Sequence, residues 1–260
     1  MNLDALGDVM ADPARAALLS DYDGSLSMIV DHPDDAVPAA GVVALLERLV
    51  AHFGRVGIVS GRPVEFLRRV LPVDGLELVG QYGLERSVDG EIVVDARVAA
   101  YTDAIATVAD AADAELPGVF VERKGQAAVT LHWRMNPELG DGALAWARQA
   151  AGVHGLTEYP TKMAMELRPP VAVDKGTAVT ALATGSRTAL FAGDDHGDLS
   201  AFAALDQMCD AGTLDAAVRV GVRSVEAPAE LVARADLVVD GPAGLVGLLT
   251  ELVDAVTARG

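Results

Sequence analysis

Solid apolar runs alternate with helical spacing in the first and last thirds of the chain, whereas the middle third holds Ala-rich helical stretches and, at Val129 to Arg134, a run that alternates apolar and polar residues. Ala17-Leu18-Leu19-Ser20 is a short apolar run stopped by Asp21-Tyr22-Asp23-Gly24-Ser25, which predicts a buried strand ending in a turn. Val42, Leu45, Leu46, Leu49 and Val50 follow at helical spacing behind Pro38. Arg55-Val-Gly-Ile-Val runs into Ser60-Gly61-Arg62-Pro63 as a second strand, Val64 to Leu71 has helical spacing, and Leu76-Glu-Leu-Val closes on Gly80-Gln81-Tyr82-Gly83 as a third strand. Strand, helix, strand, helix, strand predicts a doubly wound parallel sheet of the Rossmann-like α/β class.

The middle region has a different pattern. Asp89-Gly90 centres a hairpin between Ser87 and Asp95, Val98 to Leu116 is an Ala-rich helix, and Phe120 to Arg134 forms two strands about Lys124-Gly125. Val129-Thr-Leu-His-Trp-Arg134 alternates as a half-exposed sheet does, Ala143 to Ala151 reads as a helix, and Glu158 to Arg168 as one further strand. The parallel grammar resumes after Pro169-Pro170, with a helix from Asp174-Lys175-Gly176-Thr177 and a strand Thr188 to Gly193 that ends in Asp194-Asp195-His196-Gly197-Asp198. Short strands at Val218 to Val222 and Asp236 to Val239 and a helix from Leu245 to Val256 complete it. The expected organisation is a core of residues 1–97 and 170–260 with an inserted α+β lid at 98–169.

Composition narrows the function. Aromatics are only 4% of 260 residues, so Ala, Val and Leu must build the interior, as suits helices packed on a parallel sheet. A net charge of −18 argues against nucleic acid or an anionic membrane surface as partner, and makes any phosphate ligand depend on local positive charge. The lone Cys209 rules out an intrachain disulfide framework and is expected to be a small buried hydrophobe. Residues Met1 to Asp4 carry no basic stretch leading into an apolar core, and no run is long and uncharged enough to span a bilayer, so a cytoplasmic monomer is expected.

The polar residues gather at strand ends. Asp21 and Asp23 share one such end, with Gly24 free to bend the chain directly after them; one carboxylate can attack a phosphoryl group while the other handles protons. Ser60 and Lys175 can orient and neutralise phosphoryl oxygens. Asp21 and Asp194, with Asp198 beside them, offer oxygen ligands suited to Mg²⁺. Each has a plainer explanation taken singly: Asp-x-Asp-Gly and Ser-Gly are common turns, Lys175 could be a solvated lysine, and Gly-Asp-Asp a loop.

The ordered set Asp21-x-Asp23-Gly24-Ser25, Ser60, Lys175 and Gly193-Asp194-Asp195 resembles the haloacid dehalogenase superfamily of phosphohydrolases over nearly the whole chain. The resemblance implies Asp21 as nucleophile, Asp23 as general acid and base, Ser60 and Lys175 as the phosphate-binding pair, and Asp21, Asp23, Asp194 and Asp198 about a Mg²⁺ ion. More narrowly, Ser60-Gly61-Arg62-Pro63, Gly83-Leu84-Glu85, Glu122-Arg-Lys124, His132-Trp133-Arg134, Lys162-Met-Ala-Met-Glu166-Leu-Arg168 and Asp174-Lys175-Gly176 look like trehalose-6-phosphate phosphatases. That resemblance implies a sugar-phosphate substrate, with Arg62, Glu122, Lys124, Arg134 and Glu166 in contact with it. The chain departs from the family's usual Gly-Asp-Asp-x-Thr-Asp-Glu in having Gly197 and Leu199, and has Tyr82 where a His is frequent.

Overall fold

The computed structural model describes residues 3–30, 35–161, 163–224 and 227–259, and divides into two compact units, Met1–Ile92 with Val173–Gly260, and Val93–Ala172. In the larger unit a short helix α1 (Gly7–Ala11) leads into β1 (Ala16–Ser20), followed by α2 (Val42–His52), β2 (Arg55–Val59), α3 (Val64–Val70), β3 (Glu77–Gly80) and the hairpin β4 (Glu85–Val88) and β5 (Glu91–Val94). The smaller unit holds α4 (Thr102–Glu115), β6 (Phe120–Lys124), β7 (Ala128–His132), α5 (Gly140–His154), β8 (Thr157–Thr161) and β9 (Ala164–Arg168). The larger unit then resumes with α6 (Lys175–Ala183), β10 (Thr188–Gly193), α7 (Asp198–Asp210), β11 (Ala216–Arg223), α8 (Ala229–Arg234), β12 (Leu237–Asp240) and α9 (Gly241–Thr257).

The large sheet has the order β12-β11-β10-β1-β2-β3-β4-β5, parallel from β12 to β3, with β4 antiparallel to β3. The fold is the α/β class that the alternation of apolar runs predicts. β1 shows why a solid run is needed: Ala16 and Leu18 join an apolar cluster with α2, α3 and α9, while Ala17 and Leu19 join another with α6, α7 and α8, so neither face meets water. The chain proceeds from β1 toward β3 and later returns to build β10, β11 and β12 on the opposite side. The order therefore reverses between β1 and β10, and a crevice beyond the carboxyl ends of those two strands is where such sheets bind ligands.

The smaller unit has an antiparallel sheet, order β6-β7-β9-β8. Val129, Leu131, Met165 and Leu167 pack with α4 and α5 on one face; the alternating partners Glu122, Lys124, Thr130, His132, Glu166 and Arg168 point to the other. One expectation is corrected here and one element is added. Glu158 to Arg168 is not one strand but the hairpin β8–β9, because Met163 takes a left-handed conformation (φ +59°) that its residue type does not advertise. Residues after Asp198, for which the apolar pattern predicts no element, form the 13-residue helix α7. Cys209 is half-buried beside Met208 on that helix. Lys162 lies outside the described residues.

Candidate active site

Asp21 follows β1 directly, and its N–H extends the ladder by donating to the Ala192 carbonyl of β10 (2.8 Å). That bond brings the end of β1 to the end of β10, where Asp194 emerges. Gly24 then turns the chain with φ +78°; a Cβ there would stand 2.0 Å from Asp194 Oδ2, so only glycine lets this loop lie against that carboxylate. Ser25 Oγ donates to Asp194 Oδ1 (3.2 Å). One oxygen each from Asp21, Asp194 and Asp198 lie within 4.8 Å of one another, and all three residues are buried.

Lys175 enters this group from the first turn of α6. Asp174 caps that helix: its Oδ1 accepts the Thr177 N–H (2.8 Å) while Thr177 Oγ1 accepts the Asp174 N–H (3.0 Å), a reciprocal box that fixes the direction in which Lys175 leaves the backbone. Lys175 Nζ lies 2.7 Å from Asp198 Oδ1, 2.9 Å from Asp21 Oδ2 and 3.5 Å from Asp195 Oδ1. The other Asp198 oxygen accepts the N–H groups of Asp194 (2.8 Å) and Asp195 (2.9 Å), so Asp198 shapes the loop as well as charging it. The contacts of Ser25 and Asp195 and the double role of Asp198 were not readable from spacing, since each depends on how a loop closes.

Three carboxylates surround one ammonium, with Asp194 beside them. Burial pushes the Asp21 carboxyl well above the usual carboxylate range; Lys175 opposes this, while Asp198, Asp195 and Asp194 add to it. Burial, then Asp198 and Asp195, raise Asp194 to about 7, and burial with Asp195 raises Asp198 to about 6 against the pull of Lys175. For Asp195, Lys175 and hydrogen bonds with Asp198 outweigh burial and hold it low. Burial disfavours the Lys175 ammonium, yet Asp198 and Asp21 overcome that and leave it firmly charged. Buried carboxylate oxygens in excess of their cation are a donor set suited to a hard divalent ion.

Ser60 directly follows β2, next to β1 in the sheet, and is buried; its Oγ accepts the Arg62 N–H (3.1 Å). The Asp23 carboxylate is not among the three clustered ones. It is held instead by Arg62, whose Nε and Nη2 each donate to one oxygen at 2.8 Å. In the smaller unit, Lys124 Nζ donates to Glu166 Oε2 (2.5 Å), Thr130 Oγ1 donates to the same oxygen (3.2 Å), and Arg168 Nε is 3.2 Å from Oε1 as an ion pair without hydrogen-bond alignment. Glu122 pairs with His132 Nε2 at 2.8 Å, and the Arg168 guanidinium lies 3.3 Å from the centre of the Tyr159 ring. Glu166 is 2% exposed and Arg168 6%, so this face is not a solvated row of charges. Arg134 sits half-buried just after β7.

The trehalose-phosphatase family model matches residues 19–233, from β1 to α8. The chain belongs to the trehalose-phosphatase family. It is 35% identical over 201 residues to a trehalose-phosphate phosphatase of Mycobacterium avium, covering 73% of this chain and 51% of that protein. It is 31% identical over 189 residues to a trehalose-6-phosphate phosphatase-related protein of Thermoplasma acidophilum, covering 72% of this chain and 81% of that one. A solved trehalose-6-phosphate phosphatase-related protein superposes with a TM-score of 0.77 at 26% identity over 94% of this chain and all of its own. The C-terminal domain of the Candida albicans trehalose-6-phosphate phosphatase gives the same score at 21% identity, over 98% of each chain, and shares the fold. The chain spans about half the length of most of the mycobacterial phosphatases it matches. No helix among the described residues is long and apolar enough to cross a membrane.

Proposed function

We propose that this chain is a Mg²⁺-dependent phosphatase that hydrolyses a sugar phosphate, with trehalose 6-phosphate the foremost substrate, through an aspartyl-phosphate at Asp21. The observation that carries the reading is the buried group of Asp21, Asp194 and Asp198 about Lys175, in a chain of the trehalose-phosphatase family. Asp21, Asp194 and Asp198 would hold the ion, which when bound would draw off phosphoryl negative charge.

The chain's own groups divide the remaining work. An Asp21 oxygen forms a bond to phosphorus as the bond from phosphorus to the sugar oxygen breaks, and Asp23 gives that oxygen its proton. Asp23 then takes a proton from water attacking the acyl-phosphate, which returns Asp21 and inorganic phosphate. Lys175 orients Asp21 and meets the phosphoryl oxygens with positive charge; the Ser60 hydroxyl, which accepts the Arg62 N–H, keeps its proton to donate to one of them. Glu122, Lys124, Arg134 and Glu166 are assigned to the sugar, as carboxylates and cations supply the acceptors and donors a polyol needs.

Phosphate release from a panel of sugar phosphates, with Mg²⁺ and with chelator, tests the assignment. Release should be greatest with trehalose 6-phosphate, vanish with chelator and return with Mg²⁺; full turnover without a divalent ion would remove the metal, and preference for another sugar phosphate would replace the substrate. A binding-only regulator is the second reading, favoured by Gly197 and Leu199, the latter packed on the apolar side of α7. Tight binding of trehalose 6-phosphate without release of phosphate would select it.

A further inference from the structure

Asp23 must present an oxygen to the departing sugar oxygen, yet it stands in a loop, 35% exposed, with no strand or helix to fix its side chain. What fixes it is Arg62. The guanidinium meets both carboxylate oxygens at 2.8 Å, a planar fork that sets the plane of the carboxylate and still leaves each oxygen a lone pair for proton transfer. Arg62 is itself braced. Its guanidinium carbon lies 4.7 Å from the centre of the Phe66 ring, against which Tyr22 also packs edge-on at 5.9 Å. Its carbonyl accepts the Gln81 N–H (3.0 Å), its N–H donates to Ser60 Oγ, and the Ser60 carbonyl accepts the Tyr82 N–H (3.0 Å). Gln81 and Tyr82 both hold left-handed conformations (φ +49° and +60°), a costly arrangement for two successive non-glycine residues, and one that lets their N–H groups reach the Ser60–Arg62 loop. The Tyr82 side chain also closes on Gly61, where a Cβ would meet its hydroxyl oxygen at 2.6 Å.

We propose that Arg62 is a positioning residue for proton transfer by Asp23, and that the turn Gln81-Tyr82-Gly83 exists to hold Arg62 at that angle. This differs from the substrate contact expected for Arg62 from the family resemblance, and rests on the proposed phosphatase chemistry with Asp23 as the acid. Proton donation matters only for a poor leaving group. A dinitrophenolate departs without a proton, whereas an alkoxide does not. Because kcat/KM covers steps only through the first irreversible one, it isolates phosphoryl transfer to Asp21 from the later attack of water.

The experiment compares kcat/KM for 2,4-dinitrophenyl phosphate and for trehalose 6-phosphate in the full chain, at saturating Mg²⁺, for wild type, Arg62→Ala, Arg62→Lys, Asp23→Asn and the double variants. Both Arg62 variants should lose about tenfold to a hundredfold on the sugar phosphate and less than about threefold on the aryl phosphate, since acid catalysis as a whole is worth roughly 10²–10⁴. Activity on the aryl phosphate shows that the variant is folded, and Arg62→Lys serves where Arg62→Ala is not. In the Asp23→Asn background, removing Arg62 should change the sugar-phosphate value less than about threefold, because groups acting as one unit are not additive. Equal losses on both substrates, additive losses in the double variant, or full activity in Arg62→Lys would each overturn the inference and leave the phosphatase assignment standing. A wild-type chain that releases phosphate from neither substrate would overturn both.

Discussion

Asp21→Asn and Lys175→Met should move stability in opposite directions, although both should abolish the proposed turnover. Burial and three neighbouring carboxylates push the Asp21 carboxyl up despite Lys175, so the ionised group is held at a cost. Its amide should raise the unfolding free energy in chelator by about 1 kcal/mol, the trade expected when a functional charge is removed. Lys175→Met instead strips the ammonium from Asp21 and Asp198, 2.9 and 2.7 Å away, and should destabilise by about 3–5 kcal/mol. Urea unfolding of the two variants checks both signs; two losses would mean that Asp21 is stabilised by its surroundings. Gly24→Ala places a methyl group on Asp194 and should lower both stability and turnover. At this scale the positions of Asp21, Ser60 and Asp194 after strands and of Lys175 at a helix start were legible because each follows an apolar run or opens a helix. The Arg62–Asp23 fork was not. The two residues lie on different loops, 39 positions apart, and nothing in either local pattern encodes an angle between them.

Asp174 controls where α6 begins, and so where Lys175 points. Asp174→Ala removes the acceptor of the Thr177 N–H and should cost about 0.5–2 kcal/mol, with a further loss in kcat that the stability change alone does not explain. Thermal unfolding together with phosphate release measures the two; an unfolding temperature and a rate both equal to wild type would show that the cap is redundant. The elements read well from sequence wherever a solid apolar run had both faces covered, as in β1 and β10, whose every residue is buried. They failed where ordinary residues did unusual work. The β8–β9 turn carries Met163 at φ +59° where glycine or asparagine would have announced it, and Pro160, a residue that would argue against a central strand, is accommodated on the edge strand β8. α7 buries Ala201, Phe202, Ala204, Leu205 and Met208, and with small alanines making up much of that side the contrast between its faces is too weak to be recognised.

Across the whole molecule, protons and a divalent ion should compete for one site against a background charge of −18. Asp194 and Asp198 stand near 7 and 6 in the metal-free protein, above the usual 3.8. A raised carboxyl means that the folded chain holds more protons than the unfolded one between those values, so its contribution to stability is complete below about pH 4 and is lost as pH rises through 6 to 7. Asp195 is shifted the other way, and its effect falls below pH 4, outside this window. The unfolding temperature in chelator should therefore fall between pH 5 and pH 8. A cation that needs the ionised carboxylates should reverse the loss, stabilising more at pH 8 than at pH 5.5. General screening would also help so acidic a chain, by weakening repulsion across its surface. The comparison is therefore Mg²⁺ against an Na⁺ salt of equal ionic strength, by thermal unfolding at both pH values. A pH-dependent gain specific to Mg²⁺, absent in Asp194→Asn, would locate the ion at the buried carboxylates. An equal gain from Na⁺ would assign the effect to the surface charge.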